Sequence, residues 1–567
     1  MLIDSLAFTL EKSGCLDTFW GKLDAGEDAT LGVAASARPF LVAARFAHAP
    51  QPTLVVVAGE DAAVAFARNV AAYVGEERVL RFPERADYPF DPKPADRRVI
   101  AQRMEAAWAL KSGREVVVVA SARALLCLLP PVEANAARPI ALTAGEELED
   151  MGVEGVEELG DLPRALEAAG YANTGELDGP GTFAVRGGTV DVFPGNLSFP
   201  VRLDFFGDEL DEIRRIVPAT GQTISSLPSV EVYPVSEFPT SPRALADARR
   251  ALEKPALTNP ALRDVLEKLE GGLRFDGADV VLPFLYKKPV TLGAYAGAGT
   301  CAALIEPRSL FDDAAHAADD IAERARGTNI ALAGLFAEPA ALDFGGEVRA
   351  TYVSIMRVGG ALDDELPVKR VDVAGMPDKI FGKLKGLAGD RYTIVFSAPN
   401  LRARETMRHA FVDHGIPIQI VQPEHLDDGE SQPESTEADT PAQAKRRLRR
   451  GVVNIVDNDI PLGMIIPKAH LALVSAADTQ GSRAASRRVR SRVDATEVTF
   501  PFKPGDYVVH AAHGIAFFRD LVRREVDGTE RDYLQLEYAE GDKLFVPVEQ
   551  LDRVTRYVGP EGGSPRL

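Results

Sequence analysis

The sequence predicts a multidomain α/β protein: a parallel-sheet domain interrupted by an α+β insertion, a second small α/β domain, and a small antiparallel β-barrel of Tudor/SH3-like size at the C-terminal end. Three observations carry this. Short apolar runs at Leu54–Ala58, Val79–Phe82 and Val116–Val119 alternate with helical patterns over Asp61–Val74 and Ala95–Leu110, the rhythm of a parallel sheet covered on both faces. Phe183–Pro194 and Pro200–Glu209 read as strand, turn, strand. Near the end, Leu534, Leu536 and Tyr538 alternate with Gln535 and Glu537, between the turn signals Asp527-Gly528 and Gly541-Asp542.

A chain of 567 residues exceeds one core, and the patterns divide it. Residues 1–135 and 239–345 are expected to form the first α/β domain, with a strand at Ala29–Val33, a helix opening at Pro39, and the apolar runs Val280–Leu285 and Ala302–Ile305 completing it. The insertion takes 136–238, and 346–376 reads as a linker. Residues 377–478 form the second domain, with strands at Tyr392–Phe396, Ile418–Val421, Val452–Val456 and Leu471–Val474 and a helix over Leu401–His414. Within it, 427–444 is rich in Asp, Glu, Ser, Thr and Pro and reads as a disordered loop. A basic linker at 479–499, the barrel at 500–560 and a connecting tail at 561–567 complete the order.

Hydrophobic residues make up 46% and charged residues 26%, an ordinary globular composition. A net charge of -20 repels phosphates, so any nucleic-acid contact requires a local basic patch, and proteins are the expected partners. Cys15, Cys127 and Cys301 are too far apart for a disulfide framework or a metal-ligand spacing, which fits a reducing cytoplasm. No basic-then-apolar leader and no run of about eighteen apolar residues is present, so neither secretion nor a membrane partner is expected.

A nucleotide-fold topology invites a search for a phosphate-binding loop. The turn after Ala29–Val33 reads Ala34-Ala35-Ser36-Ala37-Arg38, without the glycines that admit phosphate or the lysine that meets it; Gly382-Lys383-Leu384 lacks the hydroxyl for magnesium. ATP hydrolysis by the chain itself stays open only as an alternative. His510 and His513 have no third ligand nearby and read as turn residues. Lys445–Arg450 adjoins the acidic loop and reads as a self-compensating run, while Arg483–Arg492 either brushes DNA or keeps a tether soluble.

Two motif blocks resemble one family. Phe502–His510, His513-Gly514-Ile515 and Asp542–Val548 resemble the RNA-polymerase-interacting domain shared by bacterial transcription-repair coupling factors and CarD-type regulators. Arg186–Pro194 followed by Arg202–Glu209 resembles the second domain of the excision-repair protein UvrB and its counterpart in the coupling factor, and Phe82-Pro83 with Asp87–Asp91 resembles the family's loop before the helix at Arg97. With a degenerate phosphate loop and a terminal barrel, the whole resembles the N-terminal half of the coupling factor. The family's helicase-type motor, with its ATP, magnesium and upstream-DNA sites, is expected to lie beyond Leu567.

The resemblance implies two docking sites and no catalytic, cofactor or metal residue in this chain, expected to be a monomer. UvrA is expected at Arg186, Arg202 and Phe206, where planar guanidinium groups flank an aromatic anchor. The plainer alternative pairs Arg202 with Asp204 or Asp208 and puts Phe206 in the core beside Phe205, with Asp191 and Asp204 bracing the hairpin. The polymerase β subunit is expected at an exposed edge running from Phe517 to Val526, through Phe517, Arg519, Leu521, Arg523 and Arg524. The family carries an apolar residue before the glutamate matching Glu525, and this chain has Arg524. Lys543, Phe545 and Pro547 read equally well as a barrel-closing strand. A free-standing CarD-like regulator is the alternative function.

Overall fold

The computed structural model describes residues 2–90, 95–217, 221–238, 240–271, 277–354, 362–371, 377–421, 448–458, 460, 463–475, 478, 507–510, 514–526, 529–538, 542–547 and 554–556. The loop read at 427–444, the run at Lys445–Arg447, the basic linker and the 561–567 tail lie outside them. Contacts divide the chain into two units, Met1–Ser482 and Arg483–Leu567.

In the first unit, seven strands lie parallel to their neighbours in the order Asp364–Leu366, Ala29–Val33, Val348–Val353, Cys301–Ile305, Thr53–Val57, Val117–Ser121, Val79–Phe82. Its central strands are buried on both faces, which is why they read as unbroken apolar runs rather than alternating ones. Helices Glu60–Val74, Arg97–Lys111 and Pro307–Ala325 follow strands as crossovers. Arg97–Lys111 begins where the Asp96 carboxylate accepts from the backbone N–H groups of Arg98 and Val99, the usual satisfaction of a helix start.

In the 346–376 stretch, expected as a linker, the described residues include three strands. Val348–Val353 sits near the middle of the seven strands with Ala350 and Tyr352 buried, Asp364–Leu366 forms the edge, and Lys369–Arg370 joins the next sheet. The Val280–Leu285 run, expected to help complete the first domain, does not join its sheet. It forms short helical turns that pack with Pro242–Leu252 and Pro260–Glu270 in a separate helical cluster around Leu252, Leu262 and Val281.

The insertion is a mainly antiparallel sheet ordered Thr223–Leu227, Glu209–Ile216, Val201–Phe206, Thr189–Phe193, Thr182–Arg186, Ala172–Asn173, with Ala172–Asn173 parallel to its neighbour. Phe183, Val190, Val192, Val201, Leu203 and Ile213 are buried in a core that continues into Leu54, Val56 and Val118 of the parallel sheet, so insertion and host share one interior.

The second α/β module orders its strands Lys369–Arg370, Met464–Ile466, Leu471–Ser475, Thr393–Ala398, Val453–Asp457, Ile418–Val421, with the last four mutually parallel. Helices Pro377–Gly389 and Leu401–Asp413 cover it, the second capped by Asn400. In the Arg483–Leu567 unit, five antiparallel strands run Lys543–Pro547, Thr529–Glu537, Gly514–Val526, Tyr507–His510, Val554–Arg556 over a small core of Val508, Phe518, Leu534, Leu536 and Val546. Among the described residues no helix is long and apolar enough to cross a membrane.

Candidate functional site

The polar face of the insertion is built by register. Arg202 stands opposite Asp191, and Asp204 opposite Thr189 on one side and Glu212 on the other, so alternate residues of three strands share a face while their neighbours enter the core. Arg202 donates to Asp191 through both Nε (2.7 Å to Oδ1) and Nη2 (2.9 Å to Oδ2). That hydrogen-bonded carboxylate holds the guanidinium charged, above its ordinary range. Asp204 accepts from Thr189 Oγ1 at 3.0 Å and from Arg214 Nε at 3.0 Å. Both aspartates brace the sheet, and the partner of Arg202 is neither Asp204 nor Asp208 but Asp191, directly across the strand pair.

Two glycines set the end of this face. Gly187 takes the left-handed backbone (φ 63°) that the tight turn requires. Gly188 lies against the next strand: a Cβ there would stand 2.9 Å from the Phe205 carbonyl oxygen, and Phe205 N–H donates to the Gly188 carbonyl at 2.8 Å. Phe205 is thereby drawn against the core and Phe206 turned outward, 84% exposed, the most exposed of the large apolar residues described. The Gly207-Asp208 turn beyond it is pinned by Asp208, which accepts from Leu159 N–H at 2.8 Å. Arg186, exposed at the adjoining hairpin, donates to the Gly175 carbonyl at 3.1 Å. Arg186, Arg202 and Phe206 thus lie on one sheet face, with Arg186 in the cross-strand row of Thr189 and Asp204 and Arg202 and Phe206 on either side of Asp204 along its strand.

In the terminal unit, Gly514–Val526 pairs with Tyr507–His510 only as far as Phe517, while Phe517–Val526 pairs along Thr529–Glu537. Among the described residues, 518–526 has a strand on one side only. Phe517 is half-buried, edge-on to Tyr507 at 5.4 Å, and Arg519 lies 4.7 Å over its ring while donating twice to Glu537, at 2.8 and 3.1 Å. The side chains of Leu521, Arg523 and Arg524 lie outside the described residues, as do those of His510, His513 and Pro547; the backbone register places Arg523 opposite Asp532 and Arg524 opposite Arg531.

The turn after Ala29–Val33 is a short 3-10 segment, Ala35–Ala37, leading into the helix Arg38–His48. Arg38, at its start, is buried and pairs with Glu306 across the sheet end. Among the described residues no group of His, Cys, Asp and Glu could hold a metal ion.

Sequence reasoning missed a buried ionic cluster where insertion and host meet. Arg103, fully buried, donates to Glu237 and, at 2.9 Å, to the Pro83 carbonyl, with its guanidinium 3.9 Å over Phe82. Arg85 binds Glu237 (2.7 Å), Asp87 (2.6 Å) and Asp279. Burial pushes the Glu237 carboxyl up, and Arg103 and Arg85 together outweigh it, holding the group below its ordinary range. A sequence signal existed: Arg103 stands among Ile100, Ala101, Met104, Ala106 and Ala107 on an otherwise apolar helix face.

The insertion thus carries a braced polar face, and the terminal unit carries an antiparallel sheet with a one-sided strand stretch among the described residues; each falls in a region that matches a known domain family. The UvrB interaction domain family matches residues 152–238, and the CarD-like/TRCF RID domain family matches 502–558. The chain is 24% identical over 571 residues to the transcription-repair-coupling factor of Bacillus subtilis, covering 95% of this chain and 46% of that protein. It is 30% identical over 492 residues to that of Mycobacterium bovis (80% of this chain, 37% of that protein) and 26% identical over 575 residues to that of Myxococcus xanthus (94% and 46%). Over most of its length the chain is similar to transcription-repair-coupling factors, and it spans less than half the length of these relatives.

Proposed function

We propose that this chain bridges RNA polymerase and the excision-repair machinery, docking on the polymerase β subunit through its terminal sheet and recruiting UvrA through the insertion. The observation that carries the reading is Phe206, an 84% exposed ring on a braced polar face within the region that matches the UvrB interaction domain. An exposed aromatic beside arginine is the composition of an interface anchor. At the other site, the one-sided stretch 518–526 offers main-chain groups for strand addition, and we take the five antiparallel strands to close as a small Tudor/SH3-like barrel. Arg519, committed to Glu537, serves there to hold Phe517 rather than to reach a partner. The chain works as a monomer in the cytoplasm, and the reading assigns it no chemical step.

The test is capture of purified UvrA and of polymerase by the immobilised chain without ATP. Phe206→Ala should abolish UvrA capture and leave polymerase capture intact. UvrA bound equally by both forms, or by neither, overturns the insertion's role; polymerase bound by neither overturns the docking role.

A further inference from the structure

The sheet end at which the parallel strands of the second α/β module begin collects cations from separate stretches of chain. Arg391 precedes Thr393–Ala398, Arg449 and Arg450 precede Val453–Asp457, and Lys385 lies toward the end of the helix Pro377–Gly389. Backbone contacts bring them together. Gly451 N–H donates to the Tyr392 carbonyl at 2.8 Å, which sets Arg450 beside Arg391. Arg449 is fixed by Asn454, whose Oδ1 accepts from the Arg449 N–H at 2.9 Å and whose Nδ2 donates to its carbonyl at 3.0 Å. Lys385 Nζ reaches Gly415, 4.0 Å from where a Cβ would stand, at the start of the approach to Ile418–Val421.

All four side chains are exposed, and none enters an ion pair among the described residues. Arg404 and Arg408, on the covering helix, are instead neutralised by Asp457 and Glu405. Asp390 and Asp413 are the acidic side chains next to the cluster in sequence. His414 stacks on Phe381 at 4.0 Å and His470 packs on the half-buried Tyr392 at 4.8 Å, so two ring pairs lie beside the cations in sequence. In a chain of net charge -20, four exposed cations that enter no ion pair among the described residues create a local positive potential.

We propose that this rim, Lys385, Arg391, Arg449 and Arg450, binds the phosphodiester backbone of a nucleic acid, independently of the two protein-docking faces. Closely spaced phosphates are the polyanion that guanidinium forks match, and several phosphate contacts confer binding that tracks salt rather than base sequence.

The test is anisotropy of fluorescein-labelled DNA, duplex and single-stranded, titrated with the full chain across a salt series. The wild type should bind, with the logarithm of affinity falling by about 3 per logarithm of salt for three or four phosphates neutralised. Arg391→Glu/Arg449→Glu/Arg450→Glu should weaken binding by about tenfold or more and flatten the slope by about one for each cation removed. Arg243→Glu/Lys254→Glu/Lys288→Glu changes net charge equally at exposed positions elsewhere and should change binding far less. Single Arg391→Gln and Arg450→Gln variants, read beside a melting curve, keep the test open if the triple variant unfolds. Absence of binding, equal loss in both triple variants, or displacement of the DNA by polyglutamate at equal charge concentration would overturn the proposal.

Discussion

Phe206 forgoes roughly 2 kcal/mol of burial by pointing into water, and the Gly188–Phe205 contact is what turns it there. Phe206→Ala should therefore leave the unfolding midpoint nearly unchanged, within about 0.5 kcal/mol, while removing about 2 kcal/mol or more of UvrA affinity by calorimetry; a large stability loss with intact binding would contradict the assignment. Glu237 sits at the opposite extreme of burial. Glu237→Gln leaves fully buried Arg103 without its carboxylate, while Arg85 keeps Asp87 and Asp279, and should cost about 3–5 kcal/mol in denaturant unfolding. Because its carboxyl is held below the ordinary range, the stability it contributes is present at neutral pH and lost as pH falls. Half-buried Glu105 has the reverse sign. Burial pushes it from 4.5 to about 7, so the folded chain keeps a proton that the unfolded chain has released, and stability declines as pH rises from about 4.5 through 7. Glu105→Gln should flatten that decline in melting temperatures measured between pH 5 and pH 8; an unchanged profile would rule it out. At this scale the sequence named Arg186, Arg202 and Phe206 as a set, and strand alternation does put them on one face. It misassigned the partner of Arg202, since only the pairing register reveals that Asp191 lies opposite.

At the scale of elements, legibility followed sequence distance. Helices and strands with a clear period of their own, such as Glu60–Val74 and Val79–Phe82, stand where the periodicity put them. Val348–Val353 did not announce itself, because Arg349 and Thr351 interrupt its apolar residues and its partners, Cys301–Ile305 and Ala29–Val33, lie far away along the chain. Its place in the sheet has a measurable consequence: Tyr352→Ala, removing a ring only 1% exposed, should cost about 3–5 kcal/mol. Rapid proteolysis within 348–353 of the native chain would instead restore the linker reading. The Val280–Leu285 run shows the opposite ambiguity, since a short apolar stretch suits a buried helical turn as well as a strand, and Pro283 near the start of its second turn favours the helix.

For the whole Met1–Ser482 unit, the shared interior of insertion and parallel sheet predicts a single cooperative body. Amides of Val190–Val192 and of Val117–Val119 should exchange with deuterium at closely similar opening free energies; an insertion that opens much more readily would mean that the contiguous core does not couple them. The Arg38–Glu306 contact works at the same scale, joining a residue before the insertion to one well after it. In a nucleotide-binding relative of this topology the corresponding mouth of the sheet would have to stay open for a triphosphate. Here a carboxylate already faces the arginine at the helix start, so an arriving anion would meet both a filled berth and a repelling neighbour. That one ion pair fastens the segment before the insertion to the segment after it at this end of the sheet.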